Sequence, residues 1–99
     1  MKLTNTLESN ETGHIALLRT ARMLKLANRD LNTLVGRLVR REGRTHRAAI
    51  ALASLDKMEG HLRQVLLDDL TLDDREVTQH LRRALSSSFQ ALESLQSPH

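Results

Sequence analysis

HIALLRTARMLKLANRDLNTLVGRLVRRE, residues 14–42, is the stretch on which the reading of this chain turns. Leu17, Leu24, Leu31 and Leu38 recur at every seventh residue, and Ala21, Asn28 and Val35 stand four residues after the first three of them. That period keeps one line of side chains on one side of an α-helix, with leucine at d and Ala, Asn and Val at a, the seam along which helices pack knob into hole. Apolar residues overflow the seam: Leu18 and Val39 on one flank, Ala27 and Leu34 on the other, Met23 and Leu26 further round. A helix so apolar needs cover on more than one side.

Gly43 follows this helix and is the residue best able to take the left-handed conformation that ends one, while Arg37, Arg40 and Arg41 complement the negative end of its dipole. Thr45 is then the natural cap of a second helix over about 46–70, whose stripe is Ala48, Ala51/Leu52, Leu55, Met58, Leu62, Val65/Leu66 and Leu70. Ala49, Ala53 and Gly60 form a strip of small residues beside it, suited to a closely approaching helix. A third helix over about 73–96 is announced by Thr71 as cap and the acidic pair Asp73-Asp74, with Val77, Leu81, Ala84/Leu85, Ser88/Phe89, Leu92 and Leu95 as its apolar face. Two short connections between three helices predict an all-α, antiparallel up-down-up bundle. Residues 1–13, MKLTNTLESNETG, read as a flexible lead-in, with a short extra helical turn as the alternative, and Asn10 or Thr12 as cap of the first helix; residues 14–96 read as one helical domain and residues 97–99 as a tail.

Composition narrows the classes. Phe89 is the sole aromatic residue, so the core must be made of Leu, Ile, Val, Met and Ala, which suits helices better than sheets. The absence of cysteine excludes disulfides, thiolate metal sites and a cysteine nucleophile. No secretory apolar segment is readable at the N-terminus, and the longest wholly apolar runs, Ile15–Leu18 and Ala48–Ala53, are far below membrane-spanning length, so a soluble, cytoplasmic protein is expected. A formal charge of +3 with both signs abundant does not by itself imply nucleic acid.

No motif of catalysis is present. His14, His46, His61, His80 and His99 show no metal-ligand spacing, although His61 and His80 border apolar stripes; Asp68, Asp69, Asp73 and Asp74 flank a turn without calcium-loop spacing; and Ser86–Ser88 lack a nucleophile elbow. No catalytic, cofactor or metal residue is therefore assigned, and a non-enzyme is expected. Association has more support. Ninety-nine residues bury a modest core, and the seam residues Leu17, Leu24, Asn28, Leu31, Val35 and Leu38 are expected to pair with those of a second copy. In that homodimer, with coiled-coil-like packing of the first helix, Asn28 fixes the register; alternatively three-helix packing turns it toward solvent or lets it bond the backbone of a neighbouring helix. Arg37, Arg40, Arg41, Arg44 and Arg47 crowd the first turn against a lone Glu42 and are candidates for contact with a partner or with phosphate. Arg19, Arg22, Lys25 and Arg29 make a second basic surface, read as a solvated face. The expected function is that of a small regulatory adaptor binding itself and another protein, the alternative a nucleic-acid-binding regulator that uses the Arg37–Arg47 turn.

Overall fold

The computed structural model describes residues 2–67 and 73–96, with side chains from residue 13 onward. Three helices pack against one another, α1 (Lys2–Glu42), α2 (His46–Leu67) and α3 (Asp74–Gln96), and the described residues contain no strand. The Arg47 guanidinium donates to the Glu42 carboxylate at 2.6 Å and to the Leu95 carbonyl at 3.3 Å. The end of α1, the start of α2 and the end of α3 therefore share one end of the bundle, and the helices run up, down, up.

Local chemistry sets the boundaries. Gly43 has φ of 81°, and its N–H donates to the Val39 carbonyl at 2.7 Å, a single left-handed residue closing α1. Thr45 Oγ1 accepts the Ala48 N–H at 3.2 Å, the expected cap of α2. The cap of α3 is Asp73, whose Oδ1 accepts the Glu76 N–H at 2.8 Å; Thr71, the expected cap, lies outside the described residues, as does the expected end of α2 at 68–70. The expected start of α1 is corrected: the helix begins at Lys2, so Asn10 and Thr12 lie within it and not at its start. Residues 2–13 have few strong helix formers, and a propagating helix incorporates such residues at a few tenths of a kcal/mol each.

The core comprises Ala21 and Val35 of α1, Ala48, Ala51, Leu55, Met58, Leu62 and Val65 of α2, and Val77, Leu81, Ala84 and Ala91 of α3. Each fully buried Leu, Met or Val contributes about 1.5–3 kcal/mol. α2 and α3 share the largest interface, α1 packs more lightly on α2, and α1 and α3 meet least. Small side chains explain the closeness of the α2–α3 pair: Ala48, Ala51 and Ser54 are buried on one helix, Ala84, Ser87, Ser88 and Ala91 on the other. The Ser88 hydroxyl donates to the Leu85 carbonyl at 2.6 Å, which removes the penalty of burying it.

Two expectations about packing are corrected here. Ala49, Ala53 and Gly60 face solvent, so the strip through which another helix approaches closely is Ala48, Ala51 and Ser54. Leu85, Phe89 and Leu92, read as part of the α3 core face, are exposed, and serines occupy the buried positions. A tight pair of helices has room for serine between them and none for phenylalanine.

The molecule is long. Its largest extent is 58 Å and its radius of gyration 16.5 Å, against about 13 Å for a compact domain of this length. Its accessible surface is 7444 Å², against about 5,700 Å² for a compact monomer of its mass.

Candidate interaction surfaces

The heptad seam faces the interior of its own chain. Ala21 and Val35 are fully buried, and Leu17, Leu24, Leu31 and Leu38 are partly buried against the core. Asn28 is 7% exposed and donates from Nδ2 to the Leu55 carbonyl of α2 at 2.9 Å, while its Oδ1 accepts from Asn32 Nδ2 at 3.1 Å. Of the two readings of Asn28, contact with a neighbouring helix's backbone is the one seen here. Val35 presents no surface to a second molecule and Asn28 very little, because three-helix packing within one chain has already covered them.

A different apolar surface is left uncovered. Leu85, Phe89 and Leu92 stand at i, i+4 and i+7 on α3, one stripe on one side of the helix, and Phe89 is 59% exposed. The stripe runs along α1. Asp74 Oδ1, on the same side of α3, lies at hydrogen-bonding distance, 2.8 Å, from His14 Nδ1 of α1, and α1 and α3 run parallel, with Ala27 and Leu34 on the flank of α1 away from α2. Leu34 lies on the flank of α1 opposite the one that Lys25, Asn32 and α2 occupy, and it is half exposed. The two helices that touch least thus frame an apolar face with the chain's sole aromatic residue near its middle. Sequence reasoning missed this face, although α3 carried the signal: two apolar stripes side by side, Val77-Leu81-Ala84-Ser88-Ala91 and Leu85-Phe89-Leu92, are wider than one contact needs.

The five arginines of the first turn do not act alike. Arg37, Arg40, Arg41 and Arg44 are exposed. Arg47 is a fastening: its side chain is 21% exposed and joins Glu42 to the last turn of α3, where a cation meets the negative end of a helix dipole. With Glu42 engaged by Arg47, the exposed four have no described carboxylate partner.

His61 and His80 meet across the α2–α3 interface with ring centroids 5.8 Å apart. Burial holds the His61 pKa below its ordinary value, and the nearby His80 and Arg83 push in the same direction. His80 Nδ1 is buried with no hydrogen-bond partner among the described residues. No group of three or more His, Asp or Glu side chains with metal-binding geometry occurs among the described residues. A cavity of about 410 Å³ at the Arg47 end is lined by His46 and Ser54 of α2 and Glu93 and Ser94 of α3, but the Ser94 hydroxyl donates to the Gln90 carbonyl at 2.9 Å. No described helix is long and apolar enough to cross a membrane.

No protein-family model matches the chain, and neither a characterised protein nor a solved structure shows significant similarity to it.

Proposed function

We propose that this chain is a small non-enzymatic adaptor of the regulatory, protein-binding kind, which self-associates through the face that α1 and α3 build jointly rather than through the α1 seam. The observation that carries the reading is Phe89, 59% exposed in line with Leu85 and Leu92 on α3, with Leu34 of α1 half exposed as well. Contiguous apolar surface of this kind on a soluble chain marks a contact site. A second copy laid antiparallel on the α1–α3 face would bring Phe89 against Phe89 or Leu34 and give a symmetric dimer in which each α1 gains the cover its outer flank lacks. A cytoplasmic setting belongs to this proposal and agrees with a chain free of cysteine.

Sedimentation equilibrium at micromolar concentration is the test. The parent should have the mass of a dimer and Phe89→Glu that of a monomer, with an unchanged helical spectrum. A monomeric parent overturns the proposal. The second reading, phosphate binding by Arg37, Arg40, Arg41 and Arg44, is favoured by the engagement of Glu42 with Arg47, which leaves these four without a carboxylate partner among the described residues. Titration of labelled duplex DNA and RNA decides it, since such binding must weaken steeply with salt.

A further inference from the structure

On the flank of α1 away from the Phe89 face, α1 and α2 enclose an open groove of about 750 Å³. Its floor is apolar: Leu62 and Leu66 lie at the base, with Leu26 and Leu67, 56% and 72% exposed, along the edges. Its rim is basic. Arg22, Lys25 and Arg29 project from α1 at i, i+3 and i+7, and Arg63 stands on α2, held by Glu59 at 2.9 Å. Among the described lining residues four cations face one carboxylate, a surplus of three positive charges. The basic surface read from sequence as a solvated face is therefore one wall of a groove.

We propose that this groove receives an acidic amphipathic helix from a partner protein, its apolar stripe on the four leucines and its carboxylates against Arg22, Lys25 and Arg29. The lining on α2 spans Glu59 to Leu67, a run of about 12 Å, which accommodates two to three turns of a bound helix. The combination selects this occupant. A nucleic acid would leave the leucines wet and finds no aromatic side chain on which to stack. A flat bilayer cannot reach the floor of a concavity. The inference is independent of self-association, since the groove and the Phe89 face lie on different sides of α1.

The probe is a designed helical peptide of about five turns, with leucines at helical spacing flanked by glutamates and one tryptophan, titrated with the full chain. The chain has no tryptophan, so the emission reports the peptide alone. The peptide should bind with a blue shift, and its affinity should fall about tenfold between ~50 and ~300 mM salt. A version with lysine for glutamate should not bind. Charge reversal in R22E/R29E should weaken binding at least about tenfold with the helical spectrum unchanged, and Leu26→Asp should do so through the floor, serving as the second variant if the double one does not fold. Phe89→Glu should leave peptide affinity as in the parent, whatever it does to the mass. No binding of the glutamate peptide, equal binding of the lysine peptide, or parent-like affinity in both groove variants would overturn the proposal. So would displacement of the peptide by duplex DNA or by phosphatidylglycerol vesicles that bind through the same residues more tightly.

Discussion

Replacing Asn28 by aspartate tests the interior of this bundle with almost no change of shape. The amide Nδ2 donates to the Leu55 carbonyl at 2.9 Å from a side chain that is 7% exposed. Asn28→Asp puts an acceptor, charged at neutral pH, where the donor was. Leu55 lies inside α2, so its carbonyl keeps the main-chain bond to the turn that follows. The damage is therefore the burial of a carboxylate facing a carbonyl, limited by the ability of that carboxylate to take up a proton. A loss of about 2–4 kcal/mol at neutral pH is expected, or roughly 10–25 °C in melting temperature for a domain of this length. The pH dependence has a definite sign. Burial raises the new carboxyl's folded pKa above its unfolded value, so the protonated form, whose hydroxyl can donate to Leu55, is favoured in the fold. The deficit relative to the parent at the same pH is then full above the folded pKa and shrinks as pH falls through it. Asn28→Leu is the control: Asn32 keeps its bond to the main-chain carbonyl of residue 28 at 2.8 Å, and removing both the polar group and its need for a partner should change stability by less than about 1 kcal/mol. Urea denaturation followed by far-ultraviolet circular dichroism measures both. An aspartate variant as stable as the parent at neutral pH would refute the buried-donor argument, and a leucine variant as damaged as the aspartate one would show that the hydrogen bond itself was the source of stability.

Two further outcomes follow from the contacts between helices. His61 has a folded pKa below its unfolded value of 6.5, so the unfolded chain takes up its proton first on acidification; the contribution of this group lowers stability as pH falls through 6.5 toward the folded pKa and is absent above that window. Denaturant melts across the window should show the loss in the parent and a shallower one in His61→Gln, and an unchanged slope would refute it. Arg47→Met removes the bonds to Glu42 and Leu95 at 2.6 and 3.3 Å; with Glu42 38% exposed, the combined loss should be about 1–2 kcal/mol after allowance for solvent screening. Arg40→Ala and Arg44→Ala should stay within about 0.5 kcal/mol of the parent, and thermal melts that fail to separate Arg47 from those two would remove its fastening role.

Much of the architecture was legible because it depends on local chemistry. Gly43, Thr45 and Asp73 act within one turn of the chain, and the period of Leu17, Leu24, Leu31 and Leu38 registers the buried side of α1 directly. What the period does not contain is the identity of the partner. A seam of leucines covered by α2 and α3 of the same chain has the same spacing as one covered by a second copy, which is why Asn28 and Val35 read as association residues. The exposure of Phe89 was hidden for a related reason: hydrophobicity alone ranks it above Ser87 and Ser88 for a place in the core, and only the closeness of α2 to α3 reverses the order. The groove was half legible, since Arg22, Lys25 and Arg29 align on α1 in sequence while the leucines opposite them belong to α2.

The unequal division of contact among the three helices also governs how the chain is assembled on the ribosome. α1 is made first, yet its leucines rest on α2 and α3. At ordinary synthesis rates the stretch from Gly43 to Gln96 takes roughly 3–11 s to emerge, whereas a helix forms within about a microsecond. The nascent α1 therefore waits with Leu17, Leu24, Leu31 and Leu38 bare, at its most vulnerable to capture by a neighbouring nascent chain or a chaperone, until the α2–α3 hairpin arrives to close over it.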